Sequence, residues 1–499
     1  MTDTDVEQAV NEAITQFSPV FIDDDSYHEL LEHCKPHPFL VTEDGICALV
    51  KKSAGKKAET ECRIQPISSY VRVKQKLYNC DTSEMFLLLE IDNGTNKVQR
   101  RFPRTILSKI EIKALLNYGV KYLENYADML IRYLLVSENS AETVYVYDSI
   151  GWGKLDGTTI FKYDHIISQS GSTDSLKSSY NGRLTLKPHG DLEKWLAMIR
   201  SDVIGNVPLT VCTLLAFASP ILSYITGKFD LGSLVFSLSN GSSTGKSSTA
   251  VLATSVFSNP KLNHGTMRSF NSTANFLMTF LSQTSGLPVA LDEGSAFSGD
   301  VDKLLYLLAT GVERGRLDGN SEMKPEKTWE SIILTTSEFD LLNESSNDGL
   351  KVRCFVIHDQ LTKSAQSADH IKETALTNYG VAGQAYIQWL VDHKTDRIKN
   401  DYIKAKSELI SEAQSARKTS PFTERILSKL AVVLVAARYV RKCFGLKINI
   451  PGIKEYLLNM ERQVPLKTDW VKNGLDLILQ EISRNSLKFL TPDRLSGQN

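Results

Sequence analysis

Near the start of the chain, apolar and polar residues alternate along Phe39 to Lys51, Glu61 to Lys74 and Met85 to Phe102, and Gly and Asn turns separate these runs. A period of two predicts strands with one face buried. Residues 1 to about 35 predict helix. Leu107 to Val136 follows a helical period broken at Gly119, a connector, and Thr143 to Ile167 predicts short strands ahead of a Gly/Ser-rich loop at Gln169 to Ser179. The pattern then changes. Leu234 to Leu238, Leu287 to Glu293 and Trp329 to Ser337 are apolar runs of strand length, and Ser248 to Phe257 is helix-compatible. Helical periodicity returns at Ile371 to His393, Arg397 to Ala416, Thr423 to Phe444 and Gly452 to Met460, with a further element at Trp470 to Ile482 before a polar tail. The expected organisation is a strand-rich α+β domain over 1–140, a small β-rich connector over 141–190, an α/β core over 191–365 and a helical lid with C-terminal helices over 366–499.

The uncharged stretch Val207 to Thr226 is long enough to cross a membrane, but holds Pro208, Pro220 and several hydroxyl residues directly ahead of a core strand. We expect a buried helix there, no membrane partner and a cytoplasmic protein. Seven dispersed cysteines suit reduced thiols. His28, His33, Cys34 and His37 lie close together, with a spacing that matches no zinc finger. Ordinary histidines at a helix end are the expected reading, with zinc as the alternative. Lys+Arg total 57 against Asp+Glu 58, so any nucleic-acid contact must come from local patches such as Lys97 to Arg104.

The chemistry concentrates in the core. Asn240, Gly241, Ser242, Ser243, Thr244, Gly245, Lys246, Ser247 and Ser248 follow the first apolar strand and open a helix. That is the layout of a phosphate-binding loop, in which backbone N–H groups and a helix N-terminus face a polyphosphate. Lys246 would reach the β- and γ-phosphates of ATP, and Ser247 would ligate Mg²⁺. Asn240 stands where the pattern has glycine; asparagine tolerates left-handed backbone angles well, and Gly241 adjoins it. The second strand ends in Asp292 and Glu293, 46 positions beyond Lys246. Strand alternation turns them apart, so Asp292 can serve the metal while Glu293 polarises water, a pairing that points to hydrolysis. The third strand can lie between the other two and bring Thr336 or Ser337 beside the γ-phosphate.

Arg353 and Arg425 are candidates for stabilising transition-state charge, in cis or in trans; a plain salt bridge is the alternative for each. Arg314 to Lys327 contains an Asp-Gly-Asn turn with Arg314, Arg316, Lys324 and Lys327 around it. A hairpin there could contact a phosphate backbone without reading sequence; a solvated loop is the alternative.

The order of phosphate loop, Asp-Glu strand, basic hairpin, Thr-Thr-Ser-Glu strand and Gly349-x-x-x-Arg353 resembles the AAA+ module of MCM-like, self-loading replicative helicases carried by mobile cassette elements. Their relatives are often catalogued as uncharacterised helicases and inactivated derivatives. The likeness extends to Ser149-Ile-Gly-Trp-Gly153, Pro208 to Thr226 and Ser269-Phe-Asn-Ser-Thr-Ala-Asn275, and covers residues 145 to 445 better than the first 140. It implies a AAA+ P-loop core, a parallel sheet with helices on both faces, beside the strand-rich N-terminal domain and the helical lid. It further implies an ATP site of Lys246, Ser247, Asp292 and Glu293, with Arg353 as the finger in trans and Arg425 as the lid arginine. Arg316, Lys324 and Lys327 would contact single-stranded and forked DNA inside a hexameric ring, and the N-terminal domain is a possible DNA binder. Related helicases often carry a winged helix at the C-terminus, for which too little chain remains here. Two other functions stay open: a AAA+ switch or remodelling protein that does not translocate, and an origin-binding initiator with slow ATP hydrolysis.

Overall fold

In the computed structural model, the described residues are 3–52, 61–155, 157–170, 177–241, 244–297, 299–313, 315, 323, 326–342, 348–464, 475, 478–479 and 481–482. They form two units, Met1–Asp148 with Thr173–Gly182, and Ser149–Ser172 with Arg183–Asn499. The stretch 141–190, expected as one connector, is therefore shared between them. Its strand Glu142–Tyr147 pairs in parallel with Val71–Asn79 and with Ser178–Tyr180 in the first unit. Its strands Gly151–Leu155, Thr158–Lys162 and Ile166–Ile167 form a separate small sheet in the second.

The first unit is built from two sheets. Val20–Ile22, Glu61–Ser69, Gly45–Lys52 and Phe39–Val41 make one, and the other runs Ser178–Tyr180, Glu142–Tyr147, Val71–Asn79, Met85–Asp92, Lys97–Pro103. Helix Ala127–Ser140 buries Leu130 and Leu134 against Val71, Val73, Leu87 and Leu89, the alternate residues of two neighbouring strands. Helix was expected throughout residues 1 to 35, whereas a strand at Val20–Ile22 separates helices Asp3–Gln16 and Asp24–His33. Phe17 takes a left-handed φ of 51° and Pro19 follows, which together stop the first helix. The second helix ends at His33 and Cys34, as expected. His28 bonds to Lys51 and pairs with Asp24, and among the described residues no three His, Cys, Asp or Glu side chains converge as a metal site.

The second unit is centred on a five-stranded parallel sheet in the order Met267–Ser269, Val289–Asp292, Ile332–Ser337, Leu234–Ser239, Cys354–Ile357. Ile332–Ser337 does lie between the strands that end at Ser239 and at Asp292. The two edge strands carry only three and four residues, too short for the apolar pattern to single them out. Helices Ala274–Ser282 and Val301–Thr310 bury Leu277, Leu281, Leu304 and Leu308 against Val235, Val289, Leu291 and Ile333. Ala290 packs with Ala250 and Val251 of helix Lys246–Ser255. Adjacent residues of one strand thus point to opposite faces, and both faces are covered by helices.

Helix Val207–Phe229 is long and apolar enough to cross a membrane, and most of it is buried inside the protein. It packs against helix Pro421–Phe444. The Trp152 indole donates to Pro220 O at 2.7 Å, which ties the small sheet to this helix. The expected single helix Ile371 to His393 is two, Ala365–Thr377 and Val381–His393. Gly380 breaks it with a φ of 74°, where a Cβ would come within 3.0 Å of Pro188.

Candidate active site

Strand Leu234–Ser239 leaves the sheet at its carboxyl edge, and a turn that includes Asn240, Gly241, Thr244 and Gly245 leads into helix Lys246–Ser255. The turn depends on Gly245, whose φ is 89°, and a Cβ there would lie 2.4 Å from the Thr362 methyl. No other residue fits without moving Thr362. The account expected for Asn240 is corrected: neither Asn240 nor Gly241 has a positive φ. Asn240 instead acts through its side chain, donating from Nδ2 to His358 O at 2.5 Å and accepting the Gly241 N–H at 2.8 Å. It fastens the turn to the exit of the neighbouring strand, which a glycine would not do. The Lys246 ammonium donates to Asn240 O and, at 2.7 Å, to Gly241 O. Ser242 and Ser243 lie outside the described residues.

Two strands away, Asp292 and Glu293 leave the same edge of the sheet. Glu293 adopts φ 63°, ψ 49°, a left-handed conformation that a side-chain-bearing residue adopts at a cost on the order of 1–3 kcal/mol. Thr336 from the intervening strand offsets it. Its hydroxyl donates to the Asp292 carboxylate and accepts the Glu293 N–H at 3.1 Å. Ser337 pairs with Ser295, hydroxyl to hydroxyl at 3.2 Å, and Ser295 also accepts the Glu338 N–H. Thr336 and Ser337 are therefore not equivalent, because only Thr336 holds the two acids.

These groups share one cleft of about 690 Å³, lined by Thr244, Gly245, Lys246, Ser247, Ser248, Asp292, Glu293, Thr336 and Ser337, with Ser295, Glu338, Ala365, Ala368 and Asp369. Of the last five, only Glu338 belongs to a pattern the sequence singled out, the Thr-Thr-Ser-Glu strand. Ser295 follows Glu293 by two positions, Glu338 reaches the acidic pair through the fold, and the other three come from helix Ala365–Thr377, more than a hundred residues after Lys246. The cleft thus gathers one ammonium, several hydroxyls and carboxylates at the carboxyl ends of parallel strands, where open α/β sheets bind ligands.

The two arginines are elsewhere. The Arg353 carbonyl accepts the Val235 N–H at 3.0 Å, so Arg353 sits at the amino-terminal end of the sheet, and its guanidinium donates to Gly349 O. Ser239 lies four residues further along the strand than Val235, about 13 Å of rise. Arg425, in the first turns of helix Pro421–Phe444, lies over the Phe422 ring. One turn on, the Lys429 ammonium is buried against Leu231 O. Burial first, then the charges of Arg353 and Arg425, lower its pKa from 10.5 to about 8. Arg353, Arg425 and Lys429 thus form one basic cluster away from the cleft.

Of the basic hairpin, Arg314, Arg316 and Lys324 lie outside the described residues. Its base is paired, with Val312 bridging Thr328 and Glu313 N–H donating to Lys327 O at 2.8 Å.

The fold is mixed α/β, with this cleft at the carboxyl ends of its parallel strands. The chain belongs to the family of the domain of unknown function DUF927, whose model matches residues 39–328. The match reaches from the first unit through Lys246, Asp292 and Glu293, and ends before Thr336 and Arg353. The chain is similar in fold to a solved structure described as SCCmec type IV Cch, an active helicase, with a TM-score of 0.71 and 24% identity over 91% of this chain and 84% of that one. At that identity the likeness is one of fold. No curated protein matches the chain.

Proposed function

We propose that this protein is a AAA+ ATPase acting as a DNA helicase, assembled as a hexameric ring and serving replication of a mobile genetic element. One observation carries the reading: Lys246, Ser247, Asp292, Glu293 and Thr336 line a single cleft at the carboxyl edge of a parallel sheet. The fold likeness to an active helicase of SCCmec supports the choice of helicase among ATPases.

In this reading Lys246 and the N–H groups of the 240–247 turn bind the triphosphate of ATP. The Ser247 hydroxyl and the Asp292 carboxylate are hard oxygen donors, the kind that suits Mg²⁺, which when bound neutralises phosphate charge. Glu293 orients the attacking water and accepts its proton. Thr336 keeps both acids in place. Arg353 and Arg425 serve the cleft of a neighbouring copy, because they sit at the far end of their own sheet. Arg316, Lys324 and Lys327 contact the backbone of single-stranded DNA at a fork.

Strand separation on a labelled fork, measured with wild type and Glu293→Gln, tests the proposal. Wild type should unwind with ATP and Mg²⁺, and the variant should bind ATP without unwinding. ATP turnover with no strand separation would refute the helicase part and favour an ATP-driven switch.

A further inference from the structure

Ser269-Phe-Asn-Ser-Thr-Ala-Asn275 runs from an edge strand into helix Ala274–Ser282, which carries no charged residue. In its first turn Phe276 is 49% exposed, an unusual place for a large ring. Its ring lies parallel to that of Phe280, one turn on, at 4° between planes and 6.3 Å between centroids. Behind Phe280 the guanidinium of buried Arg268 sits 4.4 Å from the ring centre. Carbonyl oxygens of Gly265 and Met267, each at 2.8 Å, hold that guanidinium. The result is a column of flat groups anchored in the interior and open at its outer end.

Beside the column stands the base of the basic hairpin. Lys327 reaches helix Ala274–Ser282, donating from Nζ to Thr279 Oγ1 at 2.9 Å. Thr279 is three residues from Phe276, on the same side of the helix. The neighbouring Glu326 carboxylate lies near Gly315 instead, 3.1 Å from where that residue's Cβ would be. An exposed aromatic face and an ammonium with donors to spare therefore occur together, with no acidic side chain on the helix between them.

Resting on the DNA-translocase reading above, we propose that Phe276 is a stacking platform for a base of single-stranded DNA, with Lys327 taking the adjacent phosphate. Every base has a π face, so such a contact is independent of sequence, as movement along a strand requires. Lysine adds charge without reading a base.

Fluorescence anisotropy of full-length protein with a labelled oligothymidine, and with an abasic oligonucleotide of equal length, tests this. Phe276→Leu should bind oligothymidine on the order of tenfold more weakly than wild type and bind the abasic strand equally well. Phe276→Tyr should retain affinity, and ATP turnover without DNA should be unchanged in both. Equal oligothymidine binding by wild type and Phe276→Leu would overturn the inference and leave the helicase reading intact. So would a change in oligomeric state at constant DNA affinity, which would make Phe276 a contact between subunits. Failure of wild type to bind either strand would instead defeat the DNA reading, and the inference with it.

Discussion

At the carboxyl end of the core sheet, Lys246, Ser247, Asp292, Glu293 and Thr336 face an open cleft. At the amino end, Arg353, Arg425 and Lys429 crowd together, with Lys429 buried. Among the described residues, the first end has acids, hydroxyls and one ammonium but no arginine, whereas the second has guanidinium groups. Triphosphate hydrolysis draws on both sets, since charge spreading over the transferred phosphoryl group is commonly met by an arginine. Strands of four to six residues cannot bring the two ends of one sheet together. On our reading a second copy supplies what the first lacks.

The strongest way to break that comparison is mixing. Glu293→Gln and Arg353→Ala should each lower ATP turnover by a factor on the order of 10³ with folding unchanged, as loss of a water-orienting group or an arginine finger does. Combined in one oligomer, they should recover part of the activity, because some interfaces then pair an intact Glu293 with an intact Arg353. Phosphate release from the mixture, compared with each variant alone, decides it. No recovery would mean that the two ends never meet.

Lys429 sharpens the contrast from the stability side. Its folded pKa of about 8 lies below the ordinary 10.5, so below pH 8 a charged, buried ammonium opposes folding by about 3 kcal/mol. Between pH 8 and 10.5 the folded protein binds fewer protons than the unfolded chain, and this cost fades. Lys429→Met should therefore be more stable than wild type at pH 7, with a smaller difference at pH 9.5, as read by urea denaturation. A difference that does not change with pH would place the lysine outside this description.

Within the cleft, Thr336→Val removes both the bond to Asp292 and the acceptor for Glu293 N–H, and should reduce turnover roughly tenfold or more, while Thr336→Ser should keep most of it. Equal rates for the two would show that the hydroxyl does not position the acids. The smallest expected effect is at Asn240. Replacement by Ala should cost about 1 kcal/mol, the value of one hydrogen bond, here that to His358 O. Thermal unfolding would detect it.

The sequence read alone singled out Lys246, Asp292, Glu293 and the strand between them, which the fold brings to one cleft. Those residues are local patterns: a glycine-rich turn after an apolar run, and acids at a strand end, each the outcome of backbone geometry over a few residues. Element type was readable wherever periodicity was long, as in Pro421–Phe444, and failed where elements were short, as in Val20–Ile22 and Cys354–Ile357. Only the fold could show that Asn240 works through its side chain rather than its backbone, because its partner is the carbonyl of His358, on a neighbouring strand. The same holds for Thr336 over Ser337, for Asp369 at the cleft, and for Arg353 and Arg425 both acting on buried Lys429. Hydrogen bonds and charges act over a few ångströms in space, and the bonds between Thr336 and Glu293 and between Asn240 and His358 span 43 and 118 positions of the chain. Chain pattern fixes which chemistry is available; packing decides which groups meet.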